Sequence, residues 1–136
     1  MAATLKLEIV TPEAKSFSDD VEMLTLTGID GEMGIYPQHM PLMTQLVGGE
    51  IIARKDGQNI VLAVGDGFVQ VTGERVAILT DMAVRAENID EAAALAAQQK
   101  AEGRLAQKLS DEEAATVQAS LAHATTQLNV KRRHQK

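Results

Sequence analysis

Leu5, Leu7 and Ile9 alternate with Lys6, Glu8 and Val10, the period of two that a half-buried strand imposes. The run from Val21 to Thr27 is rich in strand formers and stops at Gly28. Two more apolar runs, Ile51–Arg54 and Ile60–Val64, flank Lys55-Asp56-Gly57-Gln58-Asn59. An Asp-Gly step between such runs predicts a tight hairpin, because glycine accepts the positive φ that the turn requires. Gly65-Asp66-Gly67 separates that hairpin from Phe68–Val71, and Thr72-Gly73-Glu74 turns into Arg75–Thr80. Many short strands at close, regular spacing predict an antiparallel β-sandwich or flattened barrel.

The pattern changes near residue 88. Asn88 with Glu91 three residues on reads as a capping box, and the segment from Ile89 to about Leu109 lacks proline and is rich in helix formers. Gly103 weakens that helix by about 1 kcal/mol relative to alanine. Ser110 followed by Asp111, Glu112 and Glu113 is a second capping box, with carboxylates where the helix dipole favours them. Ala114, Val117, Leu121, Ala124 and Leu128 then recur on one helical face, and Lys131, Arg132 and Arg133 close the helix with the sign its C-terminus favours. Two helices joined by a short Ser-Asp turn predict an αα-hairpin.

Composition sharpens this division. Of the 136 residues, all three prolines and nine of ten glycines precede residue 88, whereas twelve of the 48 residues from Ile89 onward are alanine. Residues 1–88 carry six basic and thirteen acidic groups, a net of −7, and residues 89–136 carry seven and six, a net of +1. The expected organisation is a β-domain over residues 1–86 and a helical hairpin over 87–136. The hairpin's apolar stripe is narrow and alanine-rich, so burying it yields little at about 25 cal/mol per Å². The hairpin is therefore expected to be a weakly held, movable part.

Charge and residue types exclude several chemistries. A net charge of −6 leaves no basic footprint for nucleic acid. The chain has no cysteine, which removes disulfides, thiolate metal sites and thiol catalysis. Its aromatic residues are Phe17, Tyr36 and Phe68, too few for a base-stacking platform. The opening Met1–Val10 has neither the look of a signal peptide nor that of a transit peptide, and no run approaches the roughly 20 apolar residues of a membrane span. The histidines are His39, His123 and His134, without metal-binding spacing. No Gly-x-Ser-x-Gly elbow occurs. The glycines of Gly28-Ile29-Asp30-Gly31-Glu32-Met33-Gly34 serve turns better than a phosphate, which two carboxylates in the same loop would repel. Neither a catalytic set nor a cofactor is expected.

The segment Gly31-Glu32-Met33-Gly34-Ile35-Tyr36-Pro37-Gln38-His39-Met40-Pro41-Leu42 carries a Gly-x-x-Gly-x-x-Pro-x-His-x-Pro pattern. It resembles the N-terminal domain of the epsilon chain of bacterial F-type ATP synthase. Leu5–Pro12 is similar to that family's opening strand and turn, and Leu46-Val47-Gly48-Gly49-Glu50-Ile51 to its Leu-x-x-Gly strand start. Gly65–Val71 is similar to its Gly-Gly-Phe-x-x-Val segment, with Asp66 where glycine is common. Ile89-Asp90-Glu91-Ala92 opens a hairpin at the expected place, so the resemblance spans essentially the whole chain.

The resemblance implies a non-catalytic subunit of a rotary motor's central stalk, coupling proton flow to ATP synthesis. Its β-sandwich would bind the gamma chain and sit on the ring of c subunits. Its hairpin would lie compact on the sandwich or extend along gamma towards the alpha and beta chains of the catalytic head, inhibiting ATP hydrolysis. The implied location is the cytoplasmic face of the bacterial plasma membrane, with membrane association only through the complex. Glu32, Met33, Gly34 and Ile35 resemble the part that faces the c-ring, and Tyr36, His39 and Met40 the gamma-facing surface nearby. Pro37 and Pro41 stiffen that loop and lower the entropy lost on docking. Lys131, Arg132, Arg133 and Lys136 suit an acidic surface on the head, or equally a solvated helix end. Some relatives bind ATP through an Ile/Leu-Asp-x-x-Arg-Ala motif and further arginines. Here Ile89, Asp90 and Ala94 are retained, Ala93 replaces the arginine, and Lys100, His123 and Gln127 stand at the other arginine positions. The alternative reading is a soluble sandwich-and-hairpin adaptor for an unrelated protein partner.

Overall fold

The structure is a computed structural model that describes residues 3–13 and 15–134. Its strands are β1 (Leu5–Val10), β2 (Lys15–Val21), β3 (Met23–Gly28), β4 (Gly31–Ile35), β5 (Leu42–Leu46), β6 (Gly49–Lys55), β7 (Gln58–Val64), β8 (Gly67–Thr72), β9 (Arg75–Thr80) and β10 (Ala83–Arg85). One turn of 3₁₀ helix, Ala86–Asn88, leads to helices α1 (Glu91–Leu105) and α2 (Asp111–Arg133). The strands form one sheet in the order β10-β7-β6-β3-β5-β8-β9-β1-β2, with β4 paired to β3. Every described pairing is antiparallel except β1 with β9, which is parallel, a departure from the all-antiparallel expectation.

The sheet curls until its ends approach. Lys55 on β6 reaches Asp19 on β2 at 2.6 Å, and the Arg85 guanidinium lies 5.2 Å from the centroid of the Phe17 ring. The hydrogen bond from Lys55 holds the Asp19 carboxyl below its ordinary value. This closure therefore contributes stability above the unfolded-state value and loses it as pH falls through the folded one, a small effect for an exposed pair. Inside the curl, Leu7, Ile9, Leu24, Leu26, Ile35, Ile51, Val69 and Ile78 form one apolar core.

Local signals account for the turns. Asp56 and Gly57 have φ of 52° and 75°, the two consecutive positive values of a type I′ turn, and Lys55 pairs with Gln58 across it. Gly67 serves a different need. A Cβ built there would lie 1.8 Å from the carbonyl oxygen of Leu79 on the neighbouring strand. Gly67→Ala must push β8 off β9, and we expect a loss of about 2–3 kcal/mol, the upper end for overpacking. Thermal unfolding followed by circular dichroism should show a melting point lower by roughly 10 °C.

The remaining differences from expectation are instructive. β2 contains only Phe17 and Val21 as apolar side chains in its seven residues, too few to show a period. The run from Val21 to Thr27 is broken at Glu22, whose amide bonds Arg54. Asp90, and not Asn88, caps α1 by accepting from the amide of Ala93 at 3.0 Å, because Asn88 is still in the 3₁₀ turn and Ile89 is buried. α1 passes through Gly103 and ends at Leu105, short of Leu109. The Ser110 box forms as expected: its Oγ accepts from the Glu113 amide and its hydroxyl donates to the Glu113 carboxylate.

Candidate functional site

The segment 28–42 is a strand hairpin followed by a stiff loop. β3 and β4 are joined through Ile29 and Asp30, with Gly28 paired to Gly31, whose φ of 123° suits glycine alone. Glu32 and Gly34 are exposed on β4. Met33 packs partly on the core, and Ile35 is fully buried opposite Leu24. The Ile35 side chain is therefore not available to a partner, which corrects its expected contact role. Alternation along β4 turns it inward. Tyr36 and Met40 project into solvent, the latter 79% exposed. His39 is half-buried, and its Nδ1–H donates to the Met40 carbonyl at 2.8 Å while its amide donates to Tyr36 O at 3.1 Å. Gln38, at a φ of 65°, completes the turn that these bonds fix.

A second surface lies on the outer face of β5, β8 and β9. Phe68 stands opposite Leu79 and Gln45, and Met43 opposite Gln70 in the next row. Phe68 is 60% exposed, Leu79 53% and Met43 70%. Isolated apolar side chains on a surface are ordinary, but two bulky ones in direct cross-strand register form a patch that water covers at a cost. Both residues fall in runs that the sequence predicts as strands, with no face assigned to them. The available signal was phase: Val69 and Val71 on β8, and Val76 and Ile78 on β9, are the inward set, which leaves Phe68 and Leu79 outside.

The third region is the seat of the hairpin. Ala63, Ala86, Ile89 and Val130, with Val61 and Val84 beside them, form a small apolar cluster separate from the main core. Val117, Ala124 and Leu128 of the expected stripe are buried. His123 Nε2 lies 3.1 Å from Asp81. The basic end of α2 is exposed to solvent and at the same time engaged in polar contacts. Lys131 donates to Ala86 O at 3.2 Å, Arg132 pairs with Glu91 at 3.0 Å, and Arg133 and His134 both reach Glu50. Lys136 lies outside the described residues.

Ile89, Asp90, Ala93 and Ala94 line a cleft of about 310 Å³ together with His123 and Gln127. Lys100 is exposed and is not part of this lining, which contains neither lysine nor arginine. The Asp90 carboxylate faces the start of α1 and is committed to its cap.

Two family descriptions match the chain: "ATP synthase, Delta/Epsilon chain, beta-sandwich domain" over residues 4–86, and "ATP synthase, Delta/Epsilon chain, long alpha-helix domain" over residues 87–132. The chain is 43% identical over 135 residues to the ATP synthase epsilon chain of Dehalococcoides mccartyi, covering 98% of this chain and 96% of the relative. It is 45% identical over 105 residues to that of Pelotomaculum thermopropionicum, covering 77% and 78%. Among solved structures, a chain of the Euglena gracilis mitochondrial ATP synthase, OSCP/F1/c-ring in rotational state 1, is similar in fold with a TM-score of 0.72 at 22% identity, covering 91% of this chain and 79% of that one. A chain of the Tetrahymena thermophila mitochondrial ATP synthase central stalk/c-ring follows with a TM-score of 0.61 at 14% identity, covering 98% of each.

Proposed function

The chain belongs to the family of epsilon chains of bacterial F-type ATP synthase, and from that premise we propose how its two halves divide the work. It is a non-catalytic rotor subunit of the central stalk. Residues 1–86 dock on the gamma chain and the c-subunit ring, and residues 87–136 regulate ATP hydrolysis at the alpha and beta chains. The observation that carries the docking role is the outward row of Phe68 and Leu79, which a partner can dehydrate without disturbing the core. Tyr36, His39 and Met40 extend the gamma-facing surface. Glu32, Met33 and Gly34, on a strand whose described pairing is with β3, present charge and backbone to the c-ring. No helix among the described residues is long and apolar enough to cross a membrane. In this reading the subunit reaches the cytoplasmic face of the plasma membrane through its complex.

Co-purification tests the assignment. Tagged chain expressed with gamma, alpha and beta chains should be recovered with all of them at their complex ratio. A chain recovered alone, or with an unrelated protein, would support the adaptor reading, which family membership disfavours.

Nucleotide regulation is expected to be weak. Lysine cannot copy the planar fork with which arginine grips phosphate, and here the lining of the cleft at Ile89 and Asp90 lacks both residues. Each missing charge-assisted bond is worth about 1.5–3 kcal/mol. Two or three such losses weaken binding more than a hundredfold. Isothermal titration of the full chain with Mg-ATP should therefore give no saturation at low micromolar concentration, and a low-micromolar dissociation constant would refute this.

A further inference from the structure

The four basic residues that end α2 are spoken for in the docked hairpin. The partner of two of them is a single residue, Glu50, the second residue of β6. Arg133 takes one of its carboxylate oxygens and His134 the other. Glu50 is a shielded acceptor, its side chain only 12% exposed, whereas the Arg133 side chain is 60% exposed. Glu50 also pairs in strand register with Ala63, which belongs to the small cluster that seats Val130. The carboxylate thus stands at the edge of the apolar seat and clasps the residues just past it. Arg132 and Lys131 bind elsewhere, to Glu91 and to the Ala86 carbonyl, so Glu50 is the acid through which the sheet itself holds the helix end.

We propose that Glu50 is a carboxylate latch that sets how readily the hairpin leaves the sandwich, by competing with any acidic protein surface for the same Arg133 and His134. The apolar seat alone is small and built mostly of alanine and valine, so the ionic clasp weighs heavily in the balance, beside the His123–Asp81 and Lys131–Ala86 contacts. Arg133 meets Glu50 through one guanidinium nitrogen in the docked hairpin, and a hairpin that swings away carries Arg133 out of reach of Glu50. An external acidic surface must therefore displace Glu50 before it gains Arg133. The consequence is an asymmetry. Removing Glu50 weakens the docked state and leaves Arg133 available to the partner. Removing Arg133 weakens the docked state and the partner-bound state together, and in the assembled complex leaves the balance between those two nearly unchanged. The regulatory consequence rests on the proposed inhibitory role of the extended hairpin; the latch itself does not.

The chain lacks cysteine, so Glu74→Cys in the β8–β9 turn and Gln118→Cys on α2 can carry a dye pair on the full-length protein. Single-molecule energy transfer then reads the ratio of undocked to docked hairpin. Glu50→Gln, which keeps shape and removes charge, should raise that ratio about tenfold, and so should Arg133→Gln. The charge swap Glu50→Arg with Arg133→Glu should restore docking, and unchanged far-ultraviolet circular dichroism should confirm that the strands persist. Added salt should raise the wild-type ratio and leave that of Glu50→Gln nearly flat. A ratio unaffected by Glu50→Gln overturns the latch. In the assembled complex, Glu50→Gln should deepen inhibition of hydrolysis while Arg133→Gln should not. Undocking without any change in hydrolysis would leave the latch standing and overturn the inhibitory role of the hairpin.

Discussion

The double substitution Phe68→Gln with Leu79→Thr should leave the chain folded and cost it most of its affinity for the gamma chain. Both side chains point outward, and Gln and Thr are tolerated on a solvated strand face, so folding stability should move by no more than about 0.5–1 kcal/mol. Binding is different. Fully burying a Phe or Leu side chain is worth about 1.5–3 kcal/mol, and the two form one contiguous patch in cross-strand register. Their joint loss of roughly 3–6 kcal/mol corresponds to a hundredfold to ten-thousandfold weaker docking. Residues at the centre of an interface carry such effects, whereas rim residues do not. Gel filtration of the mutant with the gamma-containing head complex at micromolar concentration should show the chain eluting alone, with a melting curve like that of the parent. Undiminished co-elution would assign the docking surface to the loop of Tyr36 and Met40 instead.

Deleting residues 87–136 should raise ATP hydrolysis by the assembled enzyme without releasing the remaining sandwich. The main core draws on residues between Leu5 and Ile78, and the cluster that receives Val130 is separate from it. Truncation therefore exposes Ala63, Val61 and Val84 but opens no hole in the sandwich. If the hairpin holds nine complexes in ten in the inhibited state, a bias of about 1.3 kcal/mol, its removal raises the rate about tenfold. Steady-state hydrolysis and subunit stoichiometry, measured on the same preparation, check both halves of the expectation. Equal rates with and without the hairpin would remove its inhibitory role.

Much of this molecule was legible where the signal lies within three or four residues. The Asp56-Gly57 turn, the Ser110–Glu113 box and the stripe through Val117, Ala124 and Leu128 formed as the sequence implied. Each is a local matter of positive φ, of a side chain reaching a nearby amide, or of helical period. The β-then-αα order followed from the same short-range preferences, summed along each half. The Pro-x-His-x-Pro segment marked the family, although alternation along β4 then buried Ile35 among its supposed contacts. What the sequence could not decide is how distant elements meet. The parallel pairing of β1 with β9, the inclusion of the sparse strand β2 and the capture of Arg133 by Glu50, which lies 83 residues away, depend on register and on which face turns to solvent. So does the meeting of Phe68 and Leu79 on one outer face. Local preference fixes the elements cheaply, because few dihedrals must be set for each bond gained. Long-range contacts are chosen only when the whole sheet closes over its core, since that burial is what offsets the entropy of bringing distant residues together.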